Sequence, residues 1–154
     1  MKNAFIIHGT EGYPEENWFP WLKEKLEANN YKVFIPQFPT PKNQDPEHWF
    51  EVFNEYEKYL DNETIIVAHS GGCAFLLRLL EKIKIKINIA VFVAPPVGVM
   101  PIKYIKADWP FIKDPIDWKK IKSNSNNFLV FQIISHISNN KHLNFICLYN
   151  KYIF

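Results

Sequence analysis

Several chemistries are excluded by what the sequence does not contain. Cysteine occurs twice, at Cys73 and Cys147, too few for a disulfide framework and in no zinc spacing. Glycine occurs five times, and neither a Gly-x-Gly-x-x-Gly turn nor a P-loop is present, which argues against a nucleotide or flavin binder. No apolar run is long enough for a bilayer, and the stretch from Met1 to His8 is too short for a signal peptide. The expectation is a cytoplasmic protein with no membrane partner, no metal and no cofactor. The 18 Lys and Arg nearly balance the 16 Asp and Glu, and the lysines beyond Trp118 form no patch with interleaved stacking residues, so nucleic acid is not expected either. One scarcity is local: all acidic residues lie at or before Asp117.

What is present describes a packed globule. Apolar residues make up 47% and aromatics 16% of 154 residues, enough for one domain with one sizeable core. The chain is organised around Thr64-Ile65-Ile66-Val67-Ala68-His69-Ser70-Gly71-Gly72-Cys73. Its β-branched run reads as a buried parallel strand, and a helical pattern follows Gly72. Ser70 sits between small residues at minus two (Ala68) and plus two (Gly72). That is the small-x-Ser-x-small pattern of a nucleophile elbow, with Ala in the first small position. The tight turn holds the serine in a strained conformation that bulky neighbours would obstruct. In return it presents the hydroxyl beside a helix N-terminus.

The other elements follow in order. Ala4 to Ile7 is a short buried strand, followed by the loop His8-Gly9-Thr10-Glu11-Gly12. Trp18, Leu22 and Leu26 repeat at helical spacing. Val33 to Ile35 is a second strand. A proline-rich loop then leads to a helix capped by Asp45 with Pro46 at its first position, carrying Trp49, Phe53, Tyr56 and Leu60. His48 reads as a surface or capping residue there. After the elbow, Cys73, Leu76, Leu77 and Leu80 mark the buried face of a helix. Ile87 to Ala94 is a fourth strand and Phe128 to Phe131 a fifth; the connection 97–127 reads as a lid or wall. Alternating strands and helices imply an α/β fold: three α/β/α layers with a mostly parallel five-stranded sheet in the order 2-1-3-4-5. Ligands in such sheets bind beyond the carboxyl ends of the strands, where the order reverses.

Ile6-Ile7-His8-Gly9-Thr10 together with Ala68-His69-Ser70-Gly71-Gly72 resembles the α/β-hydrolase superfamily. Within it, the chain is similar to the small serine hydrolases related to retinoblastoma-binding protein 9 and the bacterial YdeN proteins. Glu15 to Leu22 and Val93-Ala94-Pro95-Pro96 fit the same subgroup. The resemblance covers about residues 1–131 and implies an esterase-type enzyme acting on a small-molecule acyl substrate. Ser70 would be the nucleophile, and the backbone N–H groups of Gly71 and Thr10 the oxyanion donors. His8 would anchor its loop beside Gly9, and His69 would fill the elbow's variable position. The alternative is a non-catalytic binding protein on a hydrolase scaffold.

The same resemblance expects a triad acid just after the fifth strand and a histidine beyond a further strand. Here Gln132-Ile133-Ile134-Ser135-His136 follows instead, and no carboxylate occurs after Asp117. Residues 132–154 hold no Asp, Glu, Gly, Ala or Val, and 15 of the 23 are Ile, Asn, Lys, Phe or Tyr. This bias suggests a hydrolase domain over 1–131 and an atypical tail over 132–154 produced by a shifted reading frame, leaving the domain truncated. A divergent genuine tail is the other possibility. Its apolar residues, among them Phe145, Ile146 and Leu148, could pair with the uncovered fifth strand. The triad acid and histidine are therefore unassigned and activity is expected to be impaired. Asp108, Asp114 and Asp117 read as solvated lid positions or a helix cap. His136 and His142 are the histidines left after the fifth strand.

Overall fold

The computed structural model describes residues 1–96, 102–133 and 145–148. His136, His142 and the remainder of the tail lie outside the described residues. The apolar runs form the strands β1 (Lys2–Ile7), β2 (Tyr31–Phe34), β3 (Ile65–His69), β4 (Ile87–Val93) and β5 (Ser125–Ile133), and β6 spans Phe145–Leu148. They lie in the order β2-β1-β3-β4-β5-β6. The first five are mutually parallel, which gives the expected 2-1-3-4-5 arrangement. β6 adds to the outer edge of β5 in the antiparallel sense, pairing Val130 with Leu148 and Gln132 with Ile146. It therefore closes an edge that would otherwise present unpaired backbone groups.

Helices α1 (Phe19–Ala28), α2 (Pro46–Asn54), α3 (Gly72–Lys82), α4 (Ile102–Ile112) and α5 (Trp118–Ser123) complete the described elements, with a 3-10 turn at Glu57–Tyr59. α1 packs on β2, whereas α2, α4 and α5 gather around α3; right-handed crossovers from a reversing strand order put them on opposite faces. Asp45 accepts a hydrogen bond from the His48 backbone N–H at 3.0 Å, so the predicted cap and the N1 proline both start α2. The helix stops at Asn54 and tightens into the 3-10 turn instead of running to Leu60. Leu60 still reaches the core, 5% exposed.

Ala4 to Ile7 and Ile66 are fully buried, as strands covered on both faces must be. Phe5, Phe38, Trp49, Phe53, Phe75 and Phe111 fill the space between the sheet and α2, α3 and α4. Phe38 stacks on Trp49 at 4.5 Å between centroids, and Phe75 meets the same indole edge-on at 5.2 Å, the offset and T-shaped geometries that ring quadrupoles favour. β5 begins at Ser125, before the apolar run that marks it, and continues through residue 131 to Ile133. The lid-like connection contains α4 and α5. One expectation within it is corrected: Asp108 is not solvated but 2% exposed. Asp117 caps α5 by accepting the Lys120 backbone N–H at 3.0 Å.

Candidate active site

The site follows from a register. Ile7 pairs with Ala68 across β1 and β3, so His8-Gly9-Thr10 leaves the sheet beside His69-Ser70-Gly71. Ser70 turns there with φ +50°, a left-handed conformation that costs a non-glycine residue about 1–3 kcal/mol. The Ser70 N–H donates to the Val93 carbonyl and the Ser70 carbonyl accepts from the Cys73 N–H, each at 2.9 Å. The second bond opens α3 immediately after the turn.

The small neighbours are a steric requirement. A Cβ on Gly72 would strike the His8 carbonyl oxygen and come within 2.9 Å of the Ile7 carbonyl oxygen, main-chain atoms that cannot withdraw. A Cβ on Gly9 would lie 2.9 Å from the Ser70 Cβ. Ala68 is fully buried beneath the turn.

Thr10 and Gly71 are brought face to face: a Cβ on Gly71 would sit 2.9 Å from Thr10 Oγ1 and 2.5 Å from Asp108 Oδ1. A polar network closes over this point. Thr10 Oγ1 donates to Asp108 Oδ1 at 3.2 Å. Gln44 Nε2 donates to Thr10 Oγ1 at 2.7 Å and to Asp108 Oδ1 at 3.1 Å. Thr40 Oγ1 donates to Gln44 Oε1 at 2.5 Å and accepts the Glu11 N–H at 2.8 Å. Burial raises the Asp108 carboxyl above the ordinary range, and the bonds from Thr10 and Gln44 offset this only in part. The sequence marked Asp108 only as one of three acids in the connection and offered no sign of Gln44 or Thr40, since an isolated polar residue in a connection breaks no periodic pattern.

The described histidines serve structure. His8 is fully buried; its Nδ1 lies 2.9 Å from the Gly9 carbonyl and its Nε2 accepts the Phe38 N–H at 2.9 Å. A carbonyl can only accept, so Nδ1 carries the proton and the ring is neutral. Burial also lowers its pKa. With both nitrogens engaged, His8 holds the first loop to the third. His69 packs edge-on against Trp18 and Phe19 at 5.8 and 5.9 Å, and its Nδ1 is buried without a hydrogen-bond partner among the described residues. Burial, then the neighbouring His8, depress its pKa. His48 binds the Asp45 carboxylate at 2.9 Å. Among the described residues, no imidazole is bonded to the Ser70 hydroxyl, and no three metal-ligating side chains cluster.

The connection after β4 is fastened to α3. From α3, Arg78 Nε donates to the Phe111 carbonyl at 2.6 Å, and its Nη atoms donate to the carbonyls of Pro115 (3.1 Å) and Asp114 (2.5 Å). Glu81 pairs with the same guanidinium at 2.7 Å and accepts the Asp117 N–H at 2.6 Å. Arg78 thus occupies the C-terminal carbonyl of α4 and sets the helix that carries Asp108.

The model of the family described as serine hydrolase matches residues 4–140. The chain belongs to the serine hydrolase family. Among curated relatives, it is 36% identical over 85 residues to the YdeN protein of Bacillus subtilis, covering 55% of this chain and 45% of that protein. It is 25% identical over 131 residues to the serine hydrolase RBBP9 of Rattus norvegicus, covering 83% of this chain and 68% of the relative. The match to YdeN thus spans under half the length of that relative. The crystal structure of the B. subtilis ydeN gene product superposes with a TM-score of 0.76 at 29% identity, covering 84% of this chain and 70% of the other. An extracellular α/β-hydrolase from a Paenibacillus species shares the fold at 17% identity and a TM-score of 0.53. No helix among the described residues of this chain is long and apolar enough to cross a membrane.

Proposed function

We propose that the chain is an esterase-type serine hydrolase acting on a small acyl substrate through Ser70, and that its turnover is impaired. The observation carrying the first half is the left-handed Ser70 at the β3–α3 junction, with Gly9 packed against it and Thr10 against the neighbouring Gly71. Ser70 Oγ would attack the ester carbonyl carbon. The backbone N–H groups of Gly71 and Thr10 would receive the oxygen as it becomes negative, with the N-terminal end of α3 adding its dipole.

The second half rests on the segment directly after β5, residues 134–144, which holds no carboxylate where the resemblance expects the triad acid. A serine hydroxyl is a poor nucleophile until a base takes its proton. Loss of triad members lowers kcat by roughly 10⁴- to 10⁶-fold, the remainder coming from the oxyanion hole and binding. That deficit also favours a second reading, a binding protein that keeps the hydrolase pocket.

Labelling with a fluorophosphonate probe separates the two. Slow labelling of the wild type that disappears in Ser70→Ala supports residual acyl-transfer chemistry. No Ser70-dependent labelling, together with no burst from p-nitrophenyl acetate, leaves only the binding scaffold.

A further inference from the structure

The network above the elbow contains a group that an acyl-transfer site does not ordinarily welcome, a carboxyl group beside the place where negative charge develops. We propose that Asp108 is an oxyanion-pocket residue delivered by α4: as a neutral acid it donates a hydrogen bond to the acyl oxygen, and as a carboxylate it closes the pocket to an oxyanion. This rests on the reading of Ser70 as nucleophile and adds a third group to the pocket.

The placement comes first. Asp108 Oδ1 lies 2.5 Å from where a Gly71 Cβ would stand, so the carboxyl group borders the residue whose N–H faces the reacting oxygen. The wiring comes second. Oδ1 receives both neutral donors, Thr10 Oγ1 at 3.2 Å and Gln44 Nε2 at 3.1 Å. Oδ1 is therefore the carbonyl-type oxygen of the neutral acid, which assigns the acid proton to Oδ2.

The surroundings come third. From the loop after β1 Asp108 meets Thr10, from the segment before α2 it meets Gln44, and from α3 it meets Gly71 and the buried Cys73 thiol. None is a cation. The one arginine of the sequence, Arg78 on α3, is committed to the carbonyls of Phe111, Asp114 and Pro115 and to Glu81. A carboxylate 2% exposed and lacking a cationic partner among the described residues is strongly disfavoured relative to the neutral acid. A protonated acid in an apolar site is an effective donor to an oxyanion, and an ionised one repels it.

The test is the rate of fluorophosphonate labelling between about pH 5 and pH 9 for wild type, Asp108→Asn and Asp108→Ala, each paired with Ser70→Ala. In this reaction the Ser70 Oγ–P bond forms, fluoride leaves, the hydroxyl proton goes to solvent and the phosphoryl oxygen enters the pocket. Asn keeps a donor and can never ionise. The ratio of the Asp108→Asn rate to the wild-type rate should be near one in acid and climb at least tenfold as pH rises, because pH effects from other groups cancel in it. Asp108→Ala should label about 10²-fold more slowly than Asp108→Asn at every pH, the usual loss for one oxyanion donor. A ratio that stays constant, with labelling still dependent on Ser70, overturns this proposal and leaves the hydrolase reading standing. No Ser70-dependent labelling in any variant overturns both. If Asp108→Ala does not fold, the near-isosteric Asp108→Asn comparison decides the question alone.

Discussion

Thr10 and Asp108 stand 98 positions apart and meet in one hydrogen bond of 3.2 Å. The contact joins the loop after β1 to α4 directly above Gly71. It shows that the long connection after β4 reaches the point where β1 and β3 end and takes part in the polar site there.

Ser70 bears the backbone strain of the elbow, with φ at +50°. Glycine adopts that conformation freely, so Ser70→Gly is expected to stabilise the fold by about 1 kcal/mol. Ser70→Ala, which keeps a Cβ, should not. Urea unfolding measures both, and the absence of a gain in the glycine variant would show that the turn is relaxed.

Gly72 has the opposite requirement. Its Cβ would run into carbonyl oxygens of β1 and the loop after it, and only displacement of α3 would relieve the clash. Gly72→Ala is expected to cost about 2–3 kcal/mol and to remove Ser70-dependent labelling even at temperatures where the variant remains folded.

The ionisable groups give pH dependences of opposite sign. His8 has its pKa depressed by burial, so the unfolded chain takes up this proton first. Its stability contribution is present above the unfolded value of about 6.5 and is lost as pH falls through that value toward the folded one. His48 is raised by its hydrogen bond to Asp45; its contribution is present below the unfolded pKa and fades as pH rises through the folded value. Asp108 is raised by burial and behaves in the same sense as His48, losing stability as pH climbs. Asp108→Asn should therefore raise Tm at neutral pH, with the gain shrinking in acid below the ordinary carboxylate range. Melting curves at stepped pH for His8→Gln, His48→Gln and Asp108→Asn check the three signs.

Arg78 is the mechanical link between α3 and the connection after β4. Arg78→Ala deprives the carbonyls of Phe111, Asp114 and Pro115 of their donor; the expected cost is about 2 kcal/mol. Trypsin should then cut faster at Lys106 and Lys113. Arg78→Lys, one compact ammonium in place of a fork, should recover only part of the protection.

The sheet and the elbow were legible because each is a pattern spread over neighbouring residues: apolar runs for β1, β3 and β4, small residues at fixed distances from Ser70. The start of β5 was hidden because Ser125, Asn126 and Asn127 look like loop chemistry. In the fold Ser125 pairs with Ile87 and Asn127 with Ile89, and Asn127 Nδ2 also bonds the Asn88 carbonyl at 3.3 Å. The early end of α2 was hidden for the reverse reason, since the 3-10 turn keeps the apolar positions on one face. Asp108 was visible only as one of three acids in the connection, not as part of the site. Its meaning depends on Gln44 and Thr10, and a linear reading assigns no partner to an acid in a proline-bearing helix.

The knot of Thr10, Gln44 and Asp108 draws on two loops in the first third of the chain and on a helix in its last third. A ribosome that has released only the first ninety residues has supplied the bend at Ser70 but nothing to cover it. The pocket therefore comes into existence late in translation, and a polypeptide stalled before α4 would leave Thr10 and Gln44 open to water with their shared acid still unmade.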